Sequence, residues 1–131
     1  MSNSFIVSDF GELLALQRVF REAKFGIEPD DVEISDSPIV ARLFERLIET
    51  LIAQELAING EDAKQRWTRW LEIDESRDEW DAAVERAKAD ERWHEFSSAQ
   101  RKEYVRLLLS PFILSPNIFD RFILAVDNSG A

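Results

Sequence analysis

The sequence predicts an all-α fold, a compact array of five or six helices around one long central helix. Three observations predict it. Apolar residues recur at three- and four-residue spacing over most of the chain, serine or aspartate caps introduce most of those runs, and no apolar–polar alternation persists long enough for a strand. At 131 residues with a hydrophobic fraction of 45%, the chain has the size of one domain, 1–131, and enough apolar surface to bury a core without a disulfide or structural metal.

Ser8 or Asp9, the latter with Glu12 three residues later, caps a first helix carrying Phe10, Leu13, Leu14, Leu16, Phe20 and Ala23 at helical spacing, and Gly26 stands where it stops. The stretch from Ile27 to Ser37 then reads as an acidic connector holding Glu28, Asp30, Asp31, Glu33 and Asp36, with Val32 and Ile34 as apolar pins. Ser37-Pro38 is an N-cap followed by proline at the first helical position, where a missing N–H costs nothing. The helix that follows runs to Asn59-Gly60 and is the central one. Its apolar arc of Ile39, Val40, Leu43, Phe44, Leu47, Ile48, Leu51 and Ile52 is wide enough for several neighbours or for a subunit interface. Glu55 falls among Phe44, Ile48 and Leu51 on the same wheel, which predicts an ion pair with an arginine from another helix.

A shorter helix from Glu61 to Leu71 carries Ala63, Trp67, Trp70 and Leu71 on one side. Ser76 and Glu79 have the spacing of a capping box and predict a helix with a thin stripe of Trp80, Ala83, Val84 and Ala87, its other sides solvated. Ser97, with Gln100, starts the run to Leu109, Ser110-Pro111 interrupts it, and Ser115-Pro116 starts a last helix through Ile118, Phe119, Phe122, Ile123 and Val126.

Chemistry is sparse. Without cysteine there is no thiolate nucleophile, disulfide or cysteine-held metal, and the single histidine, His94, cannot supply a two-histidine site within one chain. Glu91 and His94 have the i, i+3 spacing of di-iron bundles, but His94 more readily continues the Trp80 stripe as a half-buried polar residue. Asp74, Ser76, Asp78 and Glu85 imitate a calcium loop, yet Glu79 occupies the position that needs glycine. The four glycines are dispersed, so no phosphate-cradling loop forms. No catalytic residue, metal site or cofactor is therefore expected.

Charge gives the functional expectation. Twenty-six Asp+Glu against sixteen Lys+Arg leave a formal net charge of −10, which disfavours direct nucleic-acid or anionic-membrane binding and suits a basic protein partner. Trp67, Trp70, Trp80 and Trp93 lie beside Arg66, Arg69 and Arg92, but the surrounding carboxylates would repel a phosphate chain, leaving core packing and protein anchoring as their roles. The sequence reads first as a non-enzymatic acidic binding module of the inhibitor, antitoxin or immunity type, or a nucleic-acid mimic. Its contact residues are expected at Glu28, Asp30, Asp31, Glu33, Asp36, Asp74, Glu75, Asp78, Glu79 and Asp81. A homo-oligomeric scaffold or regulatory subunit joined through Leu43, Leu47 and Leu51 is the alternative, and a carboxylate- or metal-dependent enzyme using Glu91, His94 and Glu55 comes third. The first ten residues lack the charged-then-apolar pattern of a secretory signal, and no run is apolar enough to span a bilayer, which makes the cytoplasm the expected location.

Overall fold

The computed structural model describes residues 5–26, 34 and 36–128. These form six α-helices: α1 (Phe10–Phe25), α2 (Pro38–Asn59), α3 (Glu61–Leu71), α4 (Asp78–Ala89), α5 (Ser98–Leu109) and α6 (Pro116–Asp127), with a 3-10 turn at Trp93–Glu95. The only strand-like feature among the described residues is an isolated parallel bridge between Glu72 and Ile113. The connector residues Glu28, Asp30, Asp31, Val32 and Glu33 lie outside the described residues.

Most helix starts follow the local chemistry. The Asp9 carboxylate accepts from the Glu12 backbone N–H at 3.1 Å, and the Ser37 hydroxyl accepts from Val40 N–H at 3.2 Å, each satisfying an otherwise orphaned donor. At α5 the capping box is complete, with Ser97 and Gln100 bonded reciprocally. Two glycines are fixed by geometry. Gly60 turns the chain between α2 and α3 at φ +57°, and a Cβ at Gly26 would lie 2.5 Å from the Glu22 carbonyl oxygen.

The expected Ser76 cap does not form. Asp74 captures both the backbone N–H and the hydroxyl of Ser76, so α4 starts at Asp78 behind Arg77, with no side-chain cap. A local turn outcompetes the helix cap because Asp reaches the backbone two residues ahead as easily as serine reaches three.

Two apolar clusters make the core. Leu13 of α1 meets Phe44, Leu47, Ile48 and Leu51 of α2, while Trp80, Ala83, Val84 and Ala87 of α4 pack with Tyr104, Val105, Leu108 and Leu109 of α5 and Phe122 and Val126 of α6. Phe25 and Trp70 touch both clusters, and both rings lie against Phe112, at 5.8 and 4.8 Å between centroids. α2 packs on α1, α3 and α5, as a central helix should. Much of its arc is taken up by that packing: Phe44, Leu47, Ile48 and Leu51 are buried, and Ile39 and Leu43 are exposed. Of the face expected for a second copy, Leu47 and Leu51 are part of the monomer's own core, while Leu43 and its neighbour Ile39 face outward.

Glu55 does meet an arginine from another helix, Arg66 of α3, at 2.7 Å. Its partner's side chain is 60% exposed, so the pair resembles a surface bridge in high dielectric. Glu55→Gln should lower stability by less than about 1 kcal/mol. Urea unfolding at low and high salt checks this, the difference shrinking as salt screens the pair.

Candidate functional site: a charged groove between α1 and α4

α1 and α4 lie side by side and run in the same direction. Arg21 reaches Glu79 at 3.9 Å, and further along, two turns on in α4 and just past the end of α1, Arg86 Nη2 donates to the Gly26 carbonyl at 3.2 Å. The two axes are held apart at the surface and leave a cleft of about 920 Å³. Its α1 wall carries Arg18, Arg21, Glu22 and Phe25, its α4 wall Asp78, Asp81, Ala82, Glu85 and Ala89. The base includes Gly26, the half-buried Arg86 and the buried Glu79.

The walls differ in charge for a reason written in helical spacing. Asp78, Asp81 and Glu85 are three and four residues apart, so they share one face of α4, opposite the buried Ala83 and Ala87. Asp78 and Asp81 also sit in the first turn, where the helix dipole favours negative charge. Among the described residues neither has an ion-pair partner, while Glu85 is engaged by Lys88 at 3.4 Å. Across the groove Arg18 has no ion-pair partner among the described residues either, and Arg21 is only loosely held.

The carboxylates expected to contact a partner do not act together. Asp36 accepts from Arg92 at 3.0 Å, and Glu75 from Arg121 at 3.1 Å. Asp74 is consumed by its turn with Ser76, whose two hydrogen bonds hold its carboxyl below the usual range. Glu79, expected on the solvated surface, is buried, because it occupies the side of α4 that faces α1. Asp78, Glu79 and Asp81 are the members of the set brought into one place, Glu79 at the buried base beneath the other two, and Glu85, Arg18 and Arg21 join them there. The sequence signal for the α4 part was the three- and four-residue carboxylate spacing; nothing local marks the α1 partner wall.

His94 is exposed, contrary to the expectation of half-burial, because the chain leaves α4 at Asp90 and turns through the 3-10 segment that buries Trp93 instead. Glu91 is exposed as well, and among the described residues no three His, Asp or Glu side chains gather to hold a metal ion. Glu55, the third residue of that enzyme reading, is spent on Arg66.

An amine, a hydroxyl and a carboxylate do meet where α1, α2 and α5 converge. Lys24 is completely buried and donates to the carbonyls of Leu107 at 2.8 Å and Ser110 at 2.6 Å, and the Ser110 hydroxyl donates to Glu45 Oε1 at 2.7 Å. Burial pushes the Lys24 amine down to about 7, Glu45 opposing the shift and Arg86 and Arg106 adding to it. The hydroxyl lies on the Glu45 carboxylate, but Ser110 is itself buried and the Lys24 amine is turned to backbone carbonyls, so no substrate reaches the hydroxyl. The cluster is a joint between helices.

No protein-family model, curated protein or solved structure matches this chain. Among the described residues, no helix is long and apolar enough to cross a membrane.

Proposed function

We propose that this protein is a non-enzymatic acidic binding module whose docking face is the outer surface of α4, and that it engages a basic protein in the manner of an inhibitor, antitoxin or immunity protein. The observation that carries the reading is the row Asp78, Asp81 and Glu85 along one edge of a surface groove, its first two members without a cationic partner among the described residues. A row of like charges fixed on a helix is costly to itself and is relieved by an opposing cationic surface, which also steers encounter through the net charge of −10. Phe25 and the small residues Ala82 and Ala89 supply the apolar contact that lasting affinity needs.

The test is differential capture from a host lysate with the native protein and with Asp78→Asn/Asp81→Asn/Glu85→Gln, a neutralisation that leaves helix and groove shape in place. Basic proteins should be retained by the native protein, lost by the variant, and bound at least tenfold more slowly as salt rises from about 0.05 to about 0.5 M. Retention of the same proteins by both forms would overturn the assignment of the face.

A further inference from the structure

Resting on the reading of α4 as the docking face, we propose that the α1–α4 groove seats a single amphipathic α-helix of the partner, with a cationic row against α4 and an anionic row against α1. Both walls are helices lying parallel, and the groove follows α4 from Asp78 to Ala89, about 18 Å at the helical rise, or three turns. A third helix laid into the furrow between two others packs its ridge of side chains at the usual 8–10 Å between axes, and Ala82, Ala89 and Gly26 offer room for that approach.

An extended peptide fits less well. The walls present side chains, and the isolated backbone bridge among the described residues, Glu72 with Ile113, lies outside the groove lining. A strand laid here would lose water from backbone groups and find no ladder to replace it, whereas a helix brings its hydrogen bonds with it.

Charge then fixes the chemistry of the occupant. Asp78, Asp81 and Glu85 repeat at the spacing at which lysines or arginines recur on one helix face. The opposite wall offers Arg18 and Arg21, two cations against the one carboxylate of Glu22, so a uniformly cationic helix would meet net repulsion there, and one with a carboxylate row on its other flank would not.

The experiment uses the full chain, labelled for backbone amide shifts. Its probes are a synthetic helical peptide of about 18 residues, with a leucine–alanine stripe between a lysine row and a glutamate row, the same composition with its period scrambled, and poly-lysine. The patterned peptide should shift Arg18, Phe25, Ala82 and Ala89, while the scrambled one should not. Ala82→Trp, which fills the groove, and Ala89→Trp, at an exposed position and without added charge, should each weaken the patterned peptide at least tenfold and leave poly-lysine binding unchanged. Absence of shifts with the patterned peptide, or equal binding by the filled-groove variants, overturns the helix inference while poly-lysine still registers the acidic face. Loss of poly-lysine binding as well overturns the α4 reading beneath it. Self-association of the protein alone that Ala82→Trp disperses would assign the groove to a second copy and overturn the proposal.

Discussion

Replacing Lys24 by methionine should cost about 3 kcal/mol at pH 9 and little at pH 6. At the higher pH the native amine is neutral and its two N–H donors match the two carbonyls it reaches, Leu107 and Ser110. Methionine fills similar volume but leaves both acceptors buried without partners, at about 1–3 kcal/mol each. Below its lowered value the native amine becomes an ammonium in a site that excludes water, and the native protein bears that penalty while the variant does not. The sign follows from proton counts. Between about 7 in the folded protein and the ordinary 10.5 of an unfolded lysine, the unfolded chain binds the extra proton, so native stability rises with pH through that window and is level below it. Two pH steps from 7 to 9 are worth about 3 kcal/mol. Urea unfolding of both proteins from pH 6 to 9 measures the difference, in which titrations common to the two cancel; parallel stability curves would show that the amine is not desolvated as its position requires.

Nothing local in the sequence distinguishes Lys24 from a solvated residue. It stands in the last turn of α1, where a cation complements the helix dipole and is unremarkable on a surface. Its burial is produced by the end of α5 and the Ser110 turn folding over it, contacts separated by more than eighty residues. The helix starts behave differently, because a cap is a contract among four adjacent residues: Asp9, Ser37, Ser97 and Ser115 all bond the backbone N–H three positions ahead. Ser76 fails because a nearer competitor, Asp74, claims it first.

The same division explains the site. Two of the three carboxylates of the α4 row, Asp78 and Asp81, are among the expected contacts; Glu85 is not, although its four-residue spacing from Asp81 is a property of one helix. That the row faces two arginines rather than open water depends on α1 and α4 lying parallel, which no residue of either helix announces. Elsewhere individual carboxylates are paired with cations that only the fold brings to them. Arg92 bridges Asp36 and Asp90, 3.0 and 2.7 Å away, and holds the Asp90 carboxyl down to about 2. The count of twenty-six carboxylates thus overstates how much anionic surface stands ready for a partner, and Asp78 with Asp81 acquires weight because neither has an ion-pair partner among the described residues.

The remaining large effect is expected at Trp93, where truncation to alanine should lower stability by about 4 kcal/mol. The side chain is 1% exposed, so most of an indole's apolar surface is withdrawn from water, and no neighbour is free to collapse into the space it would leave. Its ring is covered by Arg101, whose guanidinium carbon lies 4.5 Å from the centroid, and borders Tyr104 at 6.0 Å. Its Nε1 donates to Asp127 Oδ1 at 2.8 Å, while Arg101 donates to the other oxygen of Asp127 and to the Trp93 carbonyl. The indole therefore ties the short turn after α4 to α5 and to the last residue of α6. Packing rather than the hydrogen bond should dominate, because Asp127 is exposed enough to recover water as a partner. Trp93→Phe keeps a ring and loses the donor, and should cost about half as much as Trp93→Ala. Thermal unfolding of the two variants beside Asp127→Asn separates these contributions; an alanine variant losing no more than the phenylalanine one would place the stabilisation in the Asp127 hydrogen bond instead of the buried ring.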